Sequence, residues 1–277
     1  MRKFPLALVL TFLGASQPPE YHIYGLHFAT ERDIPLHYFV PHVDTALRLD
    51  CADIIWVLEP VGDSTRVVLF DAGYYRQKFL DQSKPVPYER PSQAIRKLGL
   101  APDAVTDIII SHVHWDHLDG ADLFPKAHLW IQSAEYAHYI DAEGKPRART
   151  IDTADAAMLA ALRHAGRVTL IDGDDTEIIP GITVYTGGRH TYASQYIGVN
   201  TGAGTVVLAS DDAVTYQNLE QHRPIWATFA PGDSTMNLAA QDRMRRIASD
   251  PRLIFPGHDP AIFTRFPTPG NGVAKVE

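Results

Sequence analysis

Residues 111–120 read SHVHWDHLDG and follow directly on the apolar run VTDIII at 105–110. This juxtaposition constrains the chain more than any other feature. Three histidines and an aspartate fall between His112 and His117, where an apolar segment of strand character ends. Polar groups gathered at a strand end destabilise a fold unless something satisfies them. Alternate residues of an extended segment share a face, so His112 and His114 can project to the same side. Asp116 and His117 follow as the chain turns toward a helix. One pair of histidines suits one metal ion and the Asp–His pair suits a neighbour. Imidazole with carboxylate favours zinc or a similar transition metal.

Two ions need more ligands than these four, and other strand ends offer them. His190 follows the run ITVY within YTGGRHTYASQ, Asp211 ends TVVLAS, and His258 follows LIF in LIFPGHDP. The C-terminal ends of strands are where ligands collect in layered α/β folds. Singly, His190 and His258 read as hydrogen-bonded loop residues and Asp211 as a helix cap. Together with 112–117 they read as one metal-binding set. A carboxylate such as Asp211 can bridge two cations through its two oxygens.

The rest of the chain gives these residues a frame. Val-, Ile- and aromatic-rich runs predict strands at 53–59, 66–70, 105–110, 128–131, 167–171, 182–185, 195–199 and 205–210. Helices are predicted over 91–99, 132–141, 152–165, 214–221 and 236–248. The first part is strand-rich, and helices interleave with strands after about residue 85, which implies sheets packed together with helices outside. Residues before 50, rich in aromatics and His, either begin the first sheet or cover the site. The net charge of −8, with no basic stripe, argues against nucleic acid as a partner. Cys51 is the only cysteine, so no internal disulfide can form and no thiolate metal site is expected. Residues 1–16, MRKFPLALVLTFLGAS, have the basic start, apolar run and small residues of a signal peptide. They imply a periplasmic or secreted protein, with a cytoplasmic one as the alternative. Residues 17–277 read as a single domain. The leading segment is too short to span a bilayer and no later one qualifies, so no stable membrane insertion is expected. Nothing in the sequence sets the oligomeric state.

The string SHVHWDH, with His190, Asp211, His258 and VVLFDAG, resembles the metallo-β-lactamase superfamily over about residues 50–265. The resemblance implies an α/β (α+β) fold, a four-layer αββα sandwich with the metal site on one edge. It implies two Zn2+ per chain, other divalent transition metals being alternatives. His112, His114 and His190 would hold the first ion, and Asp116, His117 and His258 the second. Asp211 would bridge them, and Asp71 of VVLFDAG would stand behind the ligands. HTYASQY, LASDDAVTYQNLE and PGHDP are most similar to the N-acyl-homoserine lactonase group. That resemblance implies a small-molecule lactone or other ester as substrate, opened with water activated between two cations. Other hydrolases of the superfamily, namely phosphotriesterases, thioesterases and β-lactamase-like enzymes, are the alternatives. One departure stands out: the lactonases carry a tyrosine three residues after the bridging aspartate, where this chain has Val214. Tyr216 is the nearest replacement as a catalytic group beside Asp116, and Tyr192 is a candidate for binding substrate.

Overall fold

A computed structural model describes residues 18–230, 232–268 and 272–277. The expected signal peptide lies outside the described residues. Among the described residues, twelve strands form two sheets. In chain order they are β1 (Tyr21–Pro35), β2 (Arg48–Pro60), β3 (Val68–Phe70), β4 (Asp107–Ile109), β5 (His128–Gln132) and β6 (Val168–Ile171). Then come β7 (Thr176–Ile179), β8 (Ile182–Thr186), β9 (Gln195–Thr201), β10 (Gly204–Leu208), β11 (Ile254–Phe255) and β12 (Val273–Lys275). The helices are α1 (Gln77–Ser83), α2 (Pro91–Ala94), α3 (Trp115–Leu118), α4 (Ser133–Tyr139), α5 (Thr153–His164), α6 (Tyr216–Glu220), α7 (Ser234–Ile247) and α8 (Ile262–Arg265).

The larger sheet runs β12-β1-β2-β3-β4-β5-β6 and the smaller β11-β10-β9-β8-β7. β3 to β6 are mutually parallel, so each returns through a helical connection on the outer face. β3 (Val68–Phe70) and Ile108–Ile109 of β4 are apolar and buried on both faces, as strands covered from both sides must be. One face of the larger sheet (Trp56, Leu58, Phe70, Ile109) meets the inner face of the smaller (Ile182, Val184, Ile197, Val206). Its other face (Ile55, Val57, Leu69, Ile108) packs under Phe79, Ala94, Leu118, Tyr136 and Leu159 of the helices. α7 lies outside the smaller sheet, with Ile247 close against Gly198 of β9. Helix, sheet, sheet and helix therefore stack as the expected αββα sandwich of the metallo-β-lactamase fold.

The N-terminal region does both things that its sequence left open. β1 pairs along its length with β2, from Tyr21 opposite Pro60 to Pro35 opposite Arg48, with register shifts near His27 and Glu31. Beyond it, Phe39 reaches the cavity that also exposes Asp116 and His258. The helix predicted over 91–99 is α2 continued by a 3-10 turn at Ile95–Leu98, stopped at Gly99 with φ +76°.

Candidate metal centre

Parallel pairing places the ends of β3 and β4 side by side, and β10 pairs in parallel with β11. Asp71 follows β3, His112–His117 follow β4, Asp211 follows β10 and His258 follows β11. The loop after β8 brings His190. Fold topology thus delivers residues up to 146 positions apart, His112 to His258, to one edge of the sandwich.

The nitrogens of three imidazoles converge there. His112 Nε2 and His190 Nε2 each lie 2.9 Å from His114 Nδ1. Asp211 joins them, with Oδ2 3.3 Å from His190 Nε2. Its Oδ1 faces the other way, 3.0 Å from His258 Nε2 and 3.3 Å from His117 Nε2. Asp116 Oδ2 completes this second group, 3.4 Å from His117 Nε2 and 3.7 Å from His258 Nε2. Two candidate ligand sets result, His112/His114/His190/Asp211 and Asp116/His117/His258, each with donor atoms within 4.8 Å of one another. Asp211 lies between them with one oxygen toward each. Cys51 and Asp53 form a third such group with His258, so the sequence expectation of no thiolate near a metal position is corrected.

Electrostatics suits cations. Burial, followed by the neighbouring imidazoles, holds His112 well below the usual histidine range, and burial with His190 pulls His114 down to about 3. Both are neutral donors at physiological pH. Although burial opposes it, His258 and His117 hold the Asp211 carboxyl well below its ordinary value, and His117 with His258 brings Asp116 down to about 2. Burial likewise opposes charge on His117 and His258, but the facing carboxylates raise both well above the ordinary value. Asp211 Oδ1 is buried and close to nitrogen, yet makes no well-directed hydrogen bond. An acceptor left so is costly, and a metal ion would satisfy it. The donor set of nitrogen and carboxylate oxygen fits zinc.

A second layer fixes the rings. Asp71, with φ +64°, accepts from Ser111 N (2.8 Å), Ser111 Oγ (2.9 Å), Ser210 Oγ (3.1 Å) and His117 Nδ1 (2.8 Å). It therefore ties the ends of β3, β4 and β10 together and orients His117 with Nε2 toward the site. Asp53, buried in β2, lies 3.4 Å from His258 Nδ1 and accepts from the Tyr74 hydroxyl. Ala227 O, 2.9 Å from His190 Nδ1, orients that ring. Glu135 at the start of α4 accepts from Val113 N, Thr191 Oγ1 and Ala193 N, which pins the His112–His114 loop to the His190 loop. Asp53 and Glu135 were missed from sequence. The signal for Asp53 was its place in the apolar run DIIWVL, where a charged residue needs a partner. Glu135 had no such signal.

The expected catalytic role of Tyr216 is corrected by its position. The ring lines a different cavity, under the Arg265 guanidinium at 3.8 Å, and that cavity shares no lining residue with the metal cluster. The following helix starts at Tyr216 with its N–H on Asp259 Oδ2, which turns the side chain outward from the site loop. Tyr216→Phe is therefore expected to leave kcat and KM within about twofold of wild type, read by steady-state kinetics. Tyr192 is half-exposed and stacks on His138 at 4.0 Å with Phe229 edge-on. It belongs to a surface aromatic cluster next to His190 and does not line the cavity at the ligand sets. That cavity, of about 220 Å³, is walled by Glu31, Phe39, Cys51, Asp53 and Trp115 beside Asp116, Asp211 and His258.

Residues 55–258 match the family model described as the metallo-beta-lactamase superfamily. The curated N-acyl homoserine lactonase AiiA of Bacillus thuringiensis subsp. kurstaki is 28% identical over 174 residues, 62% of this chain and 62% of that protein. The chain thus matches less than two thirds of the length of that relative. A crystal structure of a quorum-quenching N-acyl homoserine lactone lactonase superposes with TM-score 0.71 at 20% identity, covering 89% of this chain and 95% of that one. AidC, a dizinc quorum-quenching lactonase solved with the product N-hexanoyl-L-homoserine, gives TM-score 0.65 at 17% identity, covering 94% and 95%. These structural likenesses establish the fold.

Proposed function

The chain belongs to the metallo-beta-lactamase superfamily, and on that premise we propose that it is a dinuclear metal-dependent hydrolase that opens lactone esters, N-acyl-homoserine lactones above all. The observation that carries the reading is Asp211: each of its oxygens faces a different ligand set, 3.3 Å from His190 and 3.0 Å from His258. His112, His114 and His190 would hold one ion, Asp116, His117 and His258 the other, with Asp211 between. Two divalent cations there would supply a polarised carbonyl and water activated near neutral pH.

The chain's own residues do the rest. Asp71 and Asp53 keep His117 and His258 in the orientation that presents Nε2 to the site. Phe39 and Trp115 form an apolar wall beside Asp116 that excludes bulk water and strengthens charge interactions in the cavity. Asp116 is the more open of the two site aspartates, its side chain 19% exposed against 11% for Asp211. It is placed to take up the proton that the attacking water loses and to pass it to the leaving alkoxide when the ester bond breaks. With Tyr216 turned away and Val214 in the lactonase tyrosine position, Asp116 takes that task alone.

The choice of lactones is supported by the likeness to curated lactonases, and the net charge of −8 counts against a nuclease. The test is acid release by zinc- and cobalt-loaded protein from acyl-homoserine lactones, simple γ- and δ-lactones, thioesters, β-lactams and phosphotriesters. Lactones are expected to be the best substrates by kcat/KM. If a phosphotriester or thioester is cleaved efficiently and no lactone is opened, the lactonase reading fails.

A further inference from the structure

A cavity of about 420 Å³ lies between α6, α7, the 3-10 turn at Pro251–Leu253 and α8, and none of its lining residues is a candidate metal ligand. Leu219, Ile254 and Phe266 give it an apolar floor. Its size and lining are those of small-molecule sites, in which a few polar groups converge on an apolar surface. The polar end is marked by its cations. Three arginines, Arg245, Arg252 and Arg265, line the cavity with a single carboxylate, Glu220.

These guanidiniums keep capacity to bind. Arg265 meets Glu220 at 2.6 Å, Arg245 meets Asp242 at 3.2 Å and the Leu219 carbonyl, and Arg252 meets Asp250 at 2.8 Å. Each guanidinium has five N–H donors, more than these contacts use. The Arg252 pair is largely in solvent, with the arginine side chain 87% exposed, and such pairs hold weakly.

We propose that this cavity is a second binding site, for an amphipathic monocarboxylate. Its apolar chain lies on Leu219, Ile254 and Phe266, and its carboxylate accepts from the arginines. The site borders the metal-bearing loop: Tyr216 N donates to Asp259 Oδ2 at 2.8 Å, and His258 N donates to Val214 O at 2.9 Å. A free fatty acid and a ring-opened acyl-homoserine share this chemistry. The proposal holds whether or not the lactonase reading does.

Isothermal titration calorimetry of metal-loaded protein with decanoate, and separately with N-decanoyl-homoserine, tests it. Leu219→Trp fills the cavity and Arg252→Glu reverses an exposed charge without touching the core. At least one ligand is expected to bind wild type, and each variant should weaken it about tenfold. Ester turnover by both variants, measured without added carboxylate, should match wild type. Binding of decanoate identifies the free acid as a sufficient source, whereas binding of the ring-opened amide alone points to the enzyme's own product. If neither ligand binds, or both variants bind as tightly as wild type, the proposal is overturned. Arg252→Glu decides the matter alone if Leu219→Trp lowers the Tm.

Discussion

Asp211→Asn is expected to lower kcat/KM about a thousandfold or more and to empty both metal positions together. The two oxygens of Asp211 face separate candidate ligand sets, and each would act as an anionic donor to the set it faces. An amide retains one oxygen donor and loses the charge, so one set loses its ligand and the other loses a strong one. The neighbouring residue is the control. Asp212 is also buried, but its bonds run away from the ligand sets. Gly188 N at 2.7 Å and Ser194 Oγ at 3.0 Å both donate to its Oδ1. An asparagine oxygen reproduces that acceptor, so Asp212→Asn is expected to cost about tenfold in kcat/KM or less, through the position of the His190 loop. Steady-state kinetics and metal content of the two purified variants decide this. Equal losses in both would mean that Asp211 is not the shared ligand.

Gly120→Ala is expected to be the most damaging single methyl group near the site. Gly120 closes the stretch that begins at Ser111, and its backbone packs onto the loop after β3, with its N–H on Gly73 O at 2.7 Å. A Cβ there would stand 2.2 Å from Ala72 O and 3.0 Å from Gly73 O. These are backbone atoms, and Ala72 N is held by His117 O, so nothing in the loop can turn aside as a side-chain tip would. Relieving the overlap means moving Asp71 and His117 relative to each other. The cost should be about 3 kcal/mol, with a fall in Tm of about 5–10 °C and weakened metal binding at His117. Thermal unfolding of the metal-loaded protein measures it. A Tm within about 1 °C of wild type would show that the two loops yield more readily than their hydrogen bonding implies.

Much of the site was legible because its ligands are of scarce types placed where apolar runs end. His112 to His117 stood out as a cluster, and His190, Asp211 and His258 gained meaning from sharing the same position relative to a strand. Residues acting through contacts distant in sequence were less visible. Asp53 faces His258 across 205 positions, and Glu135 joins two loops whose proximity only the folded sheets create. Eight strands could be placed because each is a compact apolar run. β1 was only one of two readings of the residues before 50, since its Tyr and His residues dilute the apolar signal, and its partner β2 supplies the order. β7, a four-residue run carrying Glu177, was not placed. β11 and β12, of two and three residues, are strands only because neighbours pair with them. Tyr216 was misread because spacing along the chain does not set direction: the α6 cap points its ring into another cavity.

One edge of this sandwich is expected to hold two metal ions, shared through Asp211. Elemental analysis of purified, metal-replete protein tests it most directly, with His112→Ala and His258→Ala measured alongside. Two ions per chain are expected in the wild type. Each variant should retain about one, His112→Ala at the Asp116/His117/His258 set and His258→Ala at the His112/His114/His190 set. One ion or none per wild-type chain would contradict the account.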